Sequence, residues 1–228
     1  MSKRILIIED EIAIQTILRE LLVDSGYYVD TADDGIEGIN FFHTHTYDLI
    51  LLDIMMPKID GYAVCEMIRQ KSNIPIVIVT AMDEEDDQIK AFEMLVDDYI
   101  TKPFSIKLVQ MRVEAVLRRG VGGFKHKNHE DNNIQTYKNI KLDKECLQVF
   151  VSDQKIELTR TEFELLQLLM SHQGYVFTRE ALLNQVWGYD YFGDEKVVNI
   201  HIMNLRKKLG IDCIETVRGI GYRMDKEN

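Results

Sequence analysis

The most constraining feature of this chain is a regular alternation of short apolar runs with amphipathic stretches over residues 1–119. The runs have the length and β-branched content of buried strands, while the stretches between them carry apolar residues at helical spacing. Five successive strand–helix units predict an α/β fold with a five-stranded, doubly wound parallel sheet. The predicted strands are Arg4–Ile8, Tyr28–Ala32, Leu49–Asp53, Ile76–Thr80 and Asp98–Thr101, and the predicted helices are Glu11–Ser25, Gly35–Thr44, Gly61–Lys71, Glu85–Met94 and Ile106–Arg119.

Acidic side chains end two of these strands, and a lysine follows a third. Glu9 and Asp10 follow the first strand, Asp53 closes the third, and Lys102 follows the fifth. Because the carboxyl ends of parallel strands meet at one edge of a sheet, we expect these side chains to share a crevice. A buried carboxylate is costly unless it is paired or used, and acids around one lysine suit a divalent cation and a phosphoryl group. Each acid alone could instead cap a helix, but their joint occurrence at strand ends favours a functional pocket.

Length and charge limit the classes of protein to which this chain can belong. A chain of 228 residues favours two domains, and its net charge of −11 is unevenly spread. Residues 1–119 hold 12 Lys and Arg against 22 Asp and Glu, whereas residues 134–228 hold 13 against 14. Since phosphate repels an acidic surface, the first part is a poor candidate for nucleic-acid binding and the second part stays eligible.

No apolar run approaches the ~18 residues needed to span a bilayer, and no basic-then-apolar leader opens the chain. We therefore expect a soluble, cytoplasmic protein without membrane contact. Cys65, Cys146 and Cys213 lack metal-ligand spacing, which indicates buried or incidental thiols.

A glycine-rich, polar segment at residues 120–133 separates the predicted domains 1–119 and 134–228. Its His126 and His129 fit a flexible, solvated tether better than a metal site. Short strands, helices and a closing hairpin then predict an α+β domain. Its predicted strands are Ile134–Leu142, Leu147–Val151, Lys155–Leu158, Ile214–Val217 and Tyr222–Met224. Three helices are also predicted. A capping box of Thr161 and Glu164 opens the first, Thr178 caps the second at Arg179–Val186, and the third runs from about Asp194 to Leu209.

Residues 1–119 resemble the receiver domain of two-component response regulators, which has a flavodoxin-like fold. The resemblance rests on separated motifs that agree, namely Glu9-Asp10, Asp53, Met55-Met56-Pro57 with Asp60-Gly61, Thr80-Ala81, and Lys102-Pro103-Phe104. One of these motifs alone would be weak.

The resemblance implies a role for each pocket residue. Asp53 would accept a phosphoryl group from a phosphohistidine of a cognate sensor histidine kinase. Glu9, Asp10, Asp53 and the backbone carbonyl of Met55 would hold Mg²⁺, which prefers hard oxygen ligands. Lys102 and Thr80 would contact the phosphate oxygens, and Pro103 would follow a cis peptide bond.

The same resemblance implies a switch and a dimer. Thr80 and Tyr99 would respond to phosphorylation and alter the surface formed by Glu85–Met94, Asp98–Thr101 and Ile106–Arg119. Homodimers would form across that surface through charge pairs, with Asp98 opposite Arg112 and Asp97 opposite Arg119. Gln88 and Leu108 stand where a third charge pair is usual, which predicts a more apolar or weaker contact.

Residues 134–228 resemble the winged helix-turn-helix output domain of the OmpR/PhoB subfamily. The motifs are Leu158–Phe163 with Leu165-Leu166, Val197–Ile202 leading into Leu205–Leu209, and Thr216–Arg223. The resemblance implies a recognition helix in the major groove of promoter DNA, a wing that enters the minor groove, and contact of loop 187–193 with RNA polymerase. The implied DNA-binding residues are Lys196, Asn199, His201, Met203, Asn204, Arg206 and Lys207 on the helix and Arg218 on the wing.

Departures from the family pattern bear on DNA recognition. At the position of Asn199 the family usually has Asp, and at the positions of Met203 and Asn204 it often has basic residues. We therefore expect that DNA affinity depends less on salt and that the base preference differs. The basic run at residues 206–208 alone could be a solvated helix end.

The leading hypothesis is a DNA-binding regulator that is phosphorylated on Asp53, dimerises and controls transcription at repeated promoter sites. One alternative is a DNA-binding regulator that does not depend on phosphorylation. A second is a Mg²⁺-dependent aspartyl phosphohydrolase, which normally has a second Asp two residues after the nucleophile. Met55 occupies that position, so we predict that the protein is not an enzyme.

Overall fold

The alternating apolar runs form one parallel sheet in the computed structural model, which describes residues 2–81, 96–119, 133–188 and 195–226, with Arg119 as backbone alone. The strands are β1 (Arg4–Ile8), β2 (Tyr28–Ala32), β3 (Leu49–Leu52), β4 (Ile76–Thr80) and β5 (Asp98–Thr101), in the order β2-β1-β3-β4-β5. Every pairing is parallel, which confirms the predicted fold class. The strand order reverses between β1 and β3, and a crevice opens at such a point beyond the carboxyl ends of the strands.

Helices of the first unit cover this sheet. They are α1 (Ile12–Asp24), α2 (Gly35–Thr44), α3 (Gly61–Arg69) and α4 (Ile106–Arg119). Strands β3 and β4 are buried at every position, which explains why their sequences are continuous apolar runs rather than alternating ones. Asp34 and Asp60 cap α2 and α3 by accepting from backbone N–H groups at 2.9 and 2.8 Å. The predicted helix Glu85–Met94 lies outside the described residues.

The chain divides into two compact units, Met1–Arg118 and Arg119–Asn228. The second unit is α+β, as predicted. Its strands form a four-stranded antiparallel sheet of β6 (Ile134–Tyr137), β7 (Ile140–Asp143), β8 (Gln148–Val151) and β9 (Gln154–Ile156), and a three-stranded sheet of β10 (Phe177–Thr178), β11 (Ile214–Val217) and β12 (Gly221–Met224). Its helices are α5 (Arg160–Ser171), α6 (Arg179–Val186) and α7 (Lys196–Leu209).

Two local predictions in the second unit are wrong. The predicted strand Ile134–Leu142 is two strands, because Lys138 has a left-handed backbone (φ +50°) that starts a tight turn. The capping box of α5 is formed by Thr159 and Glu162 rather than by Thr161 and Glu164. Glu162 accepts from the Thr159 N–H at 2.8 Å, while Glu164 pairs with Arg160 at 2.8 Å.

Other boundary predictions are confirmed. Thr178 caps α6 by accepting from the Ala181 N–H at 3.0 Å, and α7 ends at Gly210, which has a left-handed backbone (φ +63°). Within the described residues, no helix combines the length and the apolar character that a membrane crossing requires.

Candidate functional site

The carboxyl ends of β1 and β3 bring three acids together. Carboxylate oxygens of Glu9, Asp10 and Asp53 all lie within 4.8 Å of one another. Glu9 is 1% exposed and Asp53 is 3% exposed, whereas Asp10 is partly exposed at the rim. The sequence reasoning from strand ends therefore placed these three side chains correctly in one cluster.

Lys102 reaches the same cluster from the end of β5. Its Nζ lies 2.7 Å from Asp53 Oδ2 and 2.9 Å from Glu9 Oε1. Burial lowers the pKa of Lys102, but its hydrogen bonds to Asp53 and Glu9 outweigh that effect and leave the pKa above its ordinary value. The lysine is therefore a fixed cation beside both acids. The Lys102–Pro103 peptide bond is cis.

Glu9 carries the clearest electrostatic signature of the pocket. Burial raises its pKa to about 7, helped by the charge of Asp53 and opposed by the hydrogen bond from Lys102. Among the described residues, none hydrogen-bonds the buried Glu9 Oε2 atom. A buried oxygen without a donor, next to two further carboxylates, fits a hard divalent cation such as Mg²⁺.

Neighbouring backbone completes the surroundings of Asp53. The Met55 N–H donates to Asp53 Oδ1 at 3.1 Å, and Thr80 lies at the end of β4 with 5% exposure. Gln15, which the sequence reasoning missed, donates to the Glu9 carbonyl at 3.1 Å and to Asp33 Oδ1 at 2.9 Å. A glutamine within an amphipathic helix gave no signal of this role.

The two acids predicted to face a dimer partner are held inside their own chain. Asp97 is 1% exposed, accepts from the Ile76 N–H at 3.0 Å and pairs with Arg69 at 3.2 Å. Asp98 is fully buried and pairs with Arg112 at 2.6 Å. Within one chain, Asp97 therefore pairs with Arg69, and its pairing with Arg119 of a second copy stays a prediction.

The remaining residues of that surface are only partly described. Arg112 also donates to the Tyr99 carbonyl at 2.8 Å, and its guanidinium lies 5.9 Å from the Tyr99 ring centroid. Leu108 is half-buried. Gln88 and the side chain of Arg119 lie outside the described residues.

An exposed face of α7 carries most of the predicted DNA-binding residues. Lys196, Met203 and Lys207 are exposed at helical spacing, and Met203 is 45% exposed. Arg218 is exposed in the turn between β11 and β12. This face and turn present positive charge and two large apolar side chains, Met203 and Ile220, to solvent.

Two residues predicted to contact DNA do not fit that role. His201 is 1% exposed and its ring lies 5.3 Å from that of Trp187, while Asn204 is 6% exposed. Both side chains lie on the buried face of α7, so the prediction is wrong for them. Trp187 is 1% exposed in the core, and the rest of the aromatic loop, residues 189–194, lies outside the described residues.

Asn199 and Arg206 stand at the edge of the exposed face and contact the wing. Asn199 Oδ1 accepts from the Tyr222 hydroxyl at 2.8 Å and from Arg179 Nε at 2.8 Å. Arg206 Nη2 donates to the Ile214 carbonyl at 2.7 Å. Arg179 and Tyr222 were missed as site residues because only long-range packing brings them to α7.

Comparison with known proteins finds a family match in each of the two units. Residues 5–114 match the family described as "Response regulator receiver domain", and residues 153–224 match "Transcriptional regulatory protein, C terminal". The alkaline phosphatase synthesis transcriptional regulatory protein PhoP of Bacillus subtilis is 41% identical over 99% of this chain and 98% of its own length.

Solved structures give the same result. A RitR mutant is similar over 99% of this chain and 100% of its own, with 30% identity and a TM-score of 0.77. The response regulator DrrB, a Thermotoga maritima OmpR/PhoB homologue, is similar over 99% and 100% of the two chains, with 28% identity and a TM-score of 0.53.

Proposed function

This chain belongs to the OmpR/PhoB-type response regulators of two-component systems, which join a receiver domain to a DNA-binding output domain, and we propose that phosphorylation of Asp53 controls its binding to promoter DNA. The observation that carries the proposal is the short contact of Lys102 with both Asp53 and Glu9 in the acidic cluster. We assign residues 1–119 to the receiver, 120–133 to the linker and 134–228 to the output domain.

Asp53 is the phosphoryl acceptor in this proposal. A carboxylate oxygen of Asp53 attacks phosphorus in the phosphohistidine of a sensor kinase, a new P–O bond forms, and the P–N bond breaks. The imidazole leaves after it takes up a proton, and Asp53 becomes an acyl phosphate. Asp53 at 3% exposure sits where few water molecules can compete for the phosphoryl group.

Three acids beside the transferring group require opposing charge. Lys102 Nζ, 2.7 Å from Asp53 Oδ2, supplies one positive charge. Its ammonium group can exchange the hydrogen bond to the carboxylate for hydrogen bonds to the phosphate oxygens. Mg²⁺ held by Glu9, Asp10, Asp53 and the Met55 carbonyl would supply further positive charge for the same oxygens. Thr80 at the end of β4 would hydrogen-bond the phosphate once it has formed, and Tyr99 would follow that movement.

Dimerisation requires a change of partners at the surface that contains β5 and α4. Asp98 and Arg112 pair within one chain at 2.6 Å, and the same groups would pair between chains in the proposed homodimer. Asp97 would exchange Arg69 for Arg119 of the second copy, while the uncharged Gln88 and Leu108 would stand in place of a third charge pair. Phosphorylation would favour the state in which these exchanges occur.

DNA binding is assigned to α7 and the following turn. Lys196, Asn199, Met203, Arg206 and Lys207 would face the major groove, and Arg218 would reach the minor groove. Loop 187–193 would contact RNA polymerase. Since promoter DNA and the kinase's phosphohistidine are the partners, we place the protein in the cytoplasm, and because its relatives are transcriptional regulators we assign it no turnover of substrate.

Treatment with a small phosphodonor and Mg²⁺, followed by mass spectrometry, tests the acceptor. We expect one phosphoryl group on the parent chain and none on Asp53→Asn, because an amide is a far poorer nucleophile than a carboxylate. Asp60→Asn, which changes an acid that only caps α3, is the matched control and should be phosphorylated like the parent.

Binding of promoter DNA by the same samples tests the switch. Tighter binding by the phosphorylated parent than by Asp53→Asn supports the proposal. Equal uptake of phosphate by Asp53→Asn and the parent contradicts the acceptor assignment, and equal DNA affinity before and after phosphorylation contradicts the switch.

A further inference from the structure

One cluster in the output domain contains an arginine for which the sequence motifs gave no role. Two guanidinium groups lie beside the ring of Tyr222 on β12: Cζ of Arg179 is 5.4 Å from the ring centroid and Cζ of Arg206 is 5.5 Å from it. Tyr222 is only 5% exposed, so the ring is held firmly in place. Attraction of each cation to the ring holds both guanidinium groups beside Tyr222.

Neutral groups, rather than acids, hold these two arginines. Arg179 Nε donates to Asn199 Oδ1 at 2.8 Å, and the Tyr222 hydroxyl donates to the same oxygen at 2.8 Å. Arg206 Nη2 donates to the Ile214 carbonyl at 2.7 Å and to Thr216 Oγ1 at 2.8 Å. In the parts of the chain that the structure describes, no carboxylate lies within ion-pair distance of Arg179 or Arg206.

Arg223 shows the contrast within the same strand. It follows Tyr222 directly, but its Nε lies 3.1 Å from Glu215 Oε2, so its charge is already compensated. Among the residues that the structure describes, Arg179 and Arg206 have no such compensation. A positioned guanidinium group whose charge is not compensated is suited to an anion, and the guanidinium fork matches the geometry of phosphate oxygens.

The cluster borders the exposed face of α7. Asn199 and Arg206 flank Met203 along that face, and the side chain of Arg179 is half-exposed beside Asn199. Backbone phosphates line both edges of a major groove that holds a recognition helix.

We propose that Arg179 is a DNA-phosphate contact that acts together with Arg206, and that the neutral side chain of Asn199 keeps the charge of Arg179 available to the phosphate. This inference rests on the proposed DNA-binding function. It assigns to Arg179 a part in affinity rather than in base recognition, because phosphate contacts position a protein without reading sequence.

The salt dependence of DNA binding tests the proposal. Fluorescence anisotropy of the full chain with a labelled random-sequence duplex, repeated at several salt concentrations, gives the slope of log K against log salt. Each phosphate contact contributes about 0.9 to that slope. Arg179→Gln should therefore lower its magnitude by about one, and Arg179→Lys should retain most of it because the charge is kept. Arg223→Gln is the matched control and should leave the slope unchanged.

Asn199→Asp separates a phosphate contact from a structural role. The new carboxylate would stand where Asn199 Oδ1 now accepts from Arg179 and Tyr222, so it would form an ion pair with Arg179. We expect the slope to fall by about one while the melting temperature of the output domain stays equal or rises. A structural role alone would instead make DNA affinity and melting temperature change in the same direction.

Two outcomes would overturn different statements. Unchanged slopes for Arg179→Gln and Asn199→Asp, with normal binding by the parent, contradict the phosphate contact. Absence of duplex binding by the parent chain, before and after treatment with a phosphodonor, contradicts the proposed function itself. If Arg179→Gln melts far below the parent, its DNA affinity cannot be interpreted, and the comparison of Asn199→Asp with the parent alone decides whether Arg179 contacts phosphate.

Discussion

At the scale of single residues, the protonation of Glu9 determines how much negative charge the receiver pocket holds without a metal. Lys102 is shared between Glu9 and Asp53, so one ammonium group opposes two buried carboxylates. Burial raises the pKa of Glu9 to about 7, well above the ordinary value of 4.5. In the metal-free pocket, ionisation of Glu9 at neutral pH therefore destabilises the folded state, and protonation of Glu9 removes that cost.

This shift predicts a pH dependence of stability. A carboxyl group whose pKa is higher in the folded state binds more protons when folded, so its stabilising contribution is complete below the unfolded pKa. That contribution is lost as the pH rises through about 7. In metal-free buffer, the free energy of unfolding of the receiver should fall by on the order of 2 kcal/mol between pH 5 and pH 8.

Urea unfolding of the parent and of Glu9→Gln, in the presence of a chelator, measures this effect. Glu9→Gln cannot ionise, so its stability should change little over the same range. Glu20→Gln removes an exposed acid on α1 and should follow the parent curve. Parallel curves for the parent and Glu9→Gln would contradict the assigned cause.

At the scale of secondary structure elements, the approach of α3 to the end of β3 constrains the loop that carries Asp53. A Cβ atom added at Gly61 would lie 2.1 Å from the Asp53 carbonyl oxygen and 2.8 Å from Ile54 Cα. Both contacts are to backbone, so the loop would have to move. Asp60 caps the start of α3 by accepting from the Ala63 N–H at 2.8 Å.

We predict that Gly61→Ala slows phosphorylation of Asp53 and destabilises the receiver by about 2 kcal/mol, in the range of overpacked cores. Initial rates of phosphoryl uptake and urea unfolding measure the two effects. Gly210→Ala is the control, because its left-handed backbone costs about 1–2 kcal/mol in the output domain but meets no atom within 4 Å. It should leave phosphorylation unchanged, and normal phosphorylation of Gly61→Ala would contradict the prediction.

Elements whose sequence pattern reflects local physics could be predicted well. The bounds of β1, β2, β4 and β5 are those of the predicted strands. For β1 and β4 the reason is that both are largely apolar, buried runs in a covered parallel sheet. The pocket followed from the same logic, since its acids occupy strand ends. The capping box of α5 could not be assigned in this way, because Thr159 and Glu162 have the same spacing as Thr161 and Glu164. Long-range contact decides between them, as Lys208 of α7 pairs with Glu162 at 2.6 Å.

The predicted DNA-binding face shows the same limit. His201 and Asn204 have the polar character of contact residues, yet both are buried, and the His201 ring packs against that of Trp187. Arg179 is 20 positions from Asn199 in the chain, and only the folded domain makes them neighbours. Spacing along one helix identifies a face, but the partner of that face comes from the tertiary structure.

At the scale of the whole molecule, the two domains carry very different charge. Residues 1–119 hold 12 basic against 22 acidic residues, whereas residues 134–228 hold 13 against 14 with several cations along α7 and the turn after β11. An acidic receiver repels the polyanion that the output domain binds. Such repulsion depends on the charge of the receiver alone and requires no particular arrangement of the domains.

We therefore predict that the fragment 134–228 binds a random-sequence duplex more tightly than the unphosphorylated full chain at low salt, on the order of tenfold. The difference should shrink as salt rises, because the screening length falls from about 30 Å at 0.01 M to about 10 Å at 0.1 M. Anisotropy titrations of both proteins at several salt concentrations measure it, and fragment 1–119 should show no binding. If the fragment and the full chain bind equally at low salt, charge repulsion does not contribute to the control of DNA binding, and the state of Asp53 must act through the dimer surface alone.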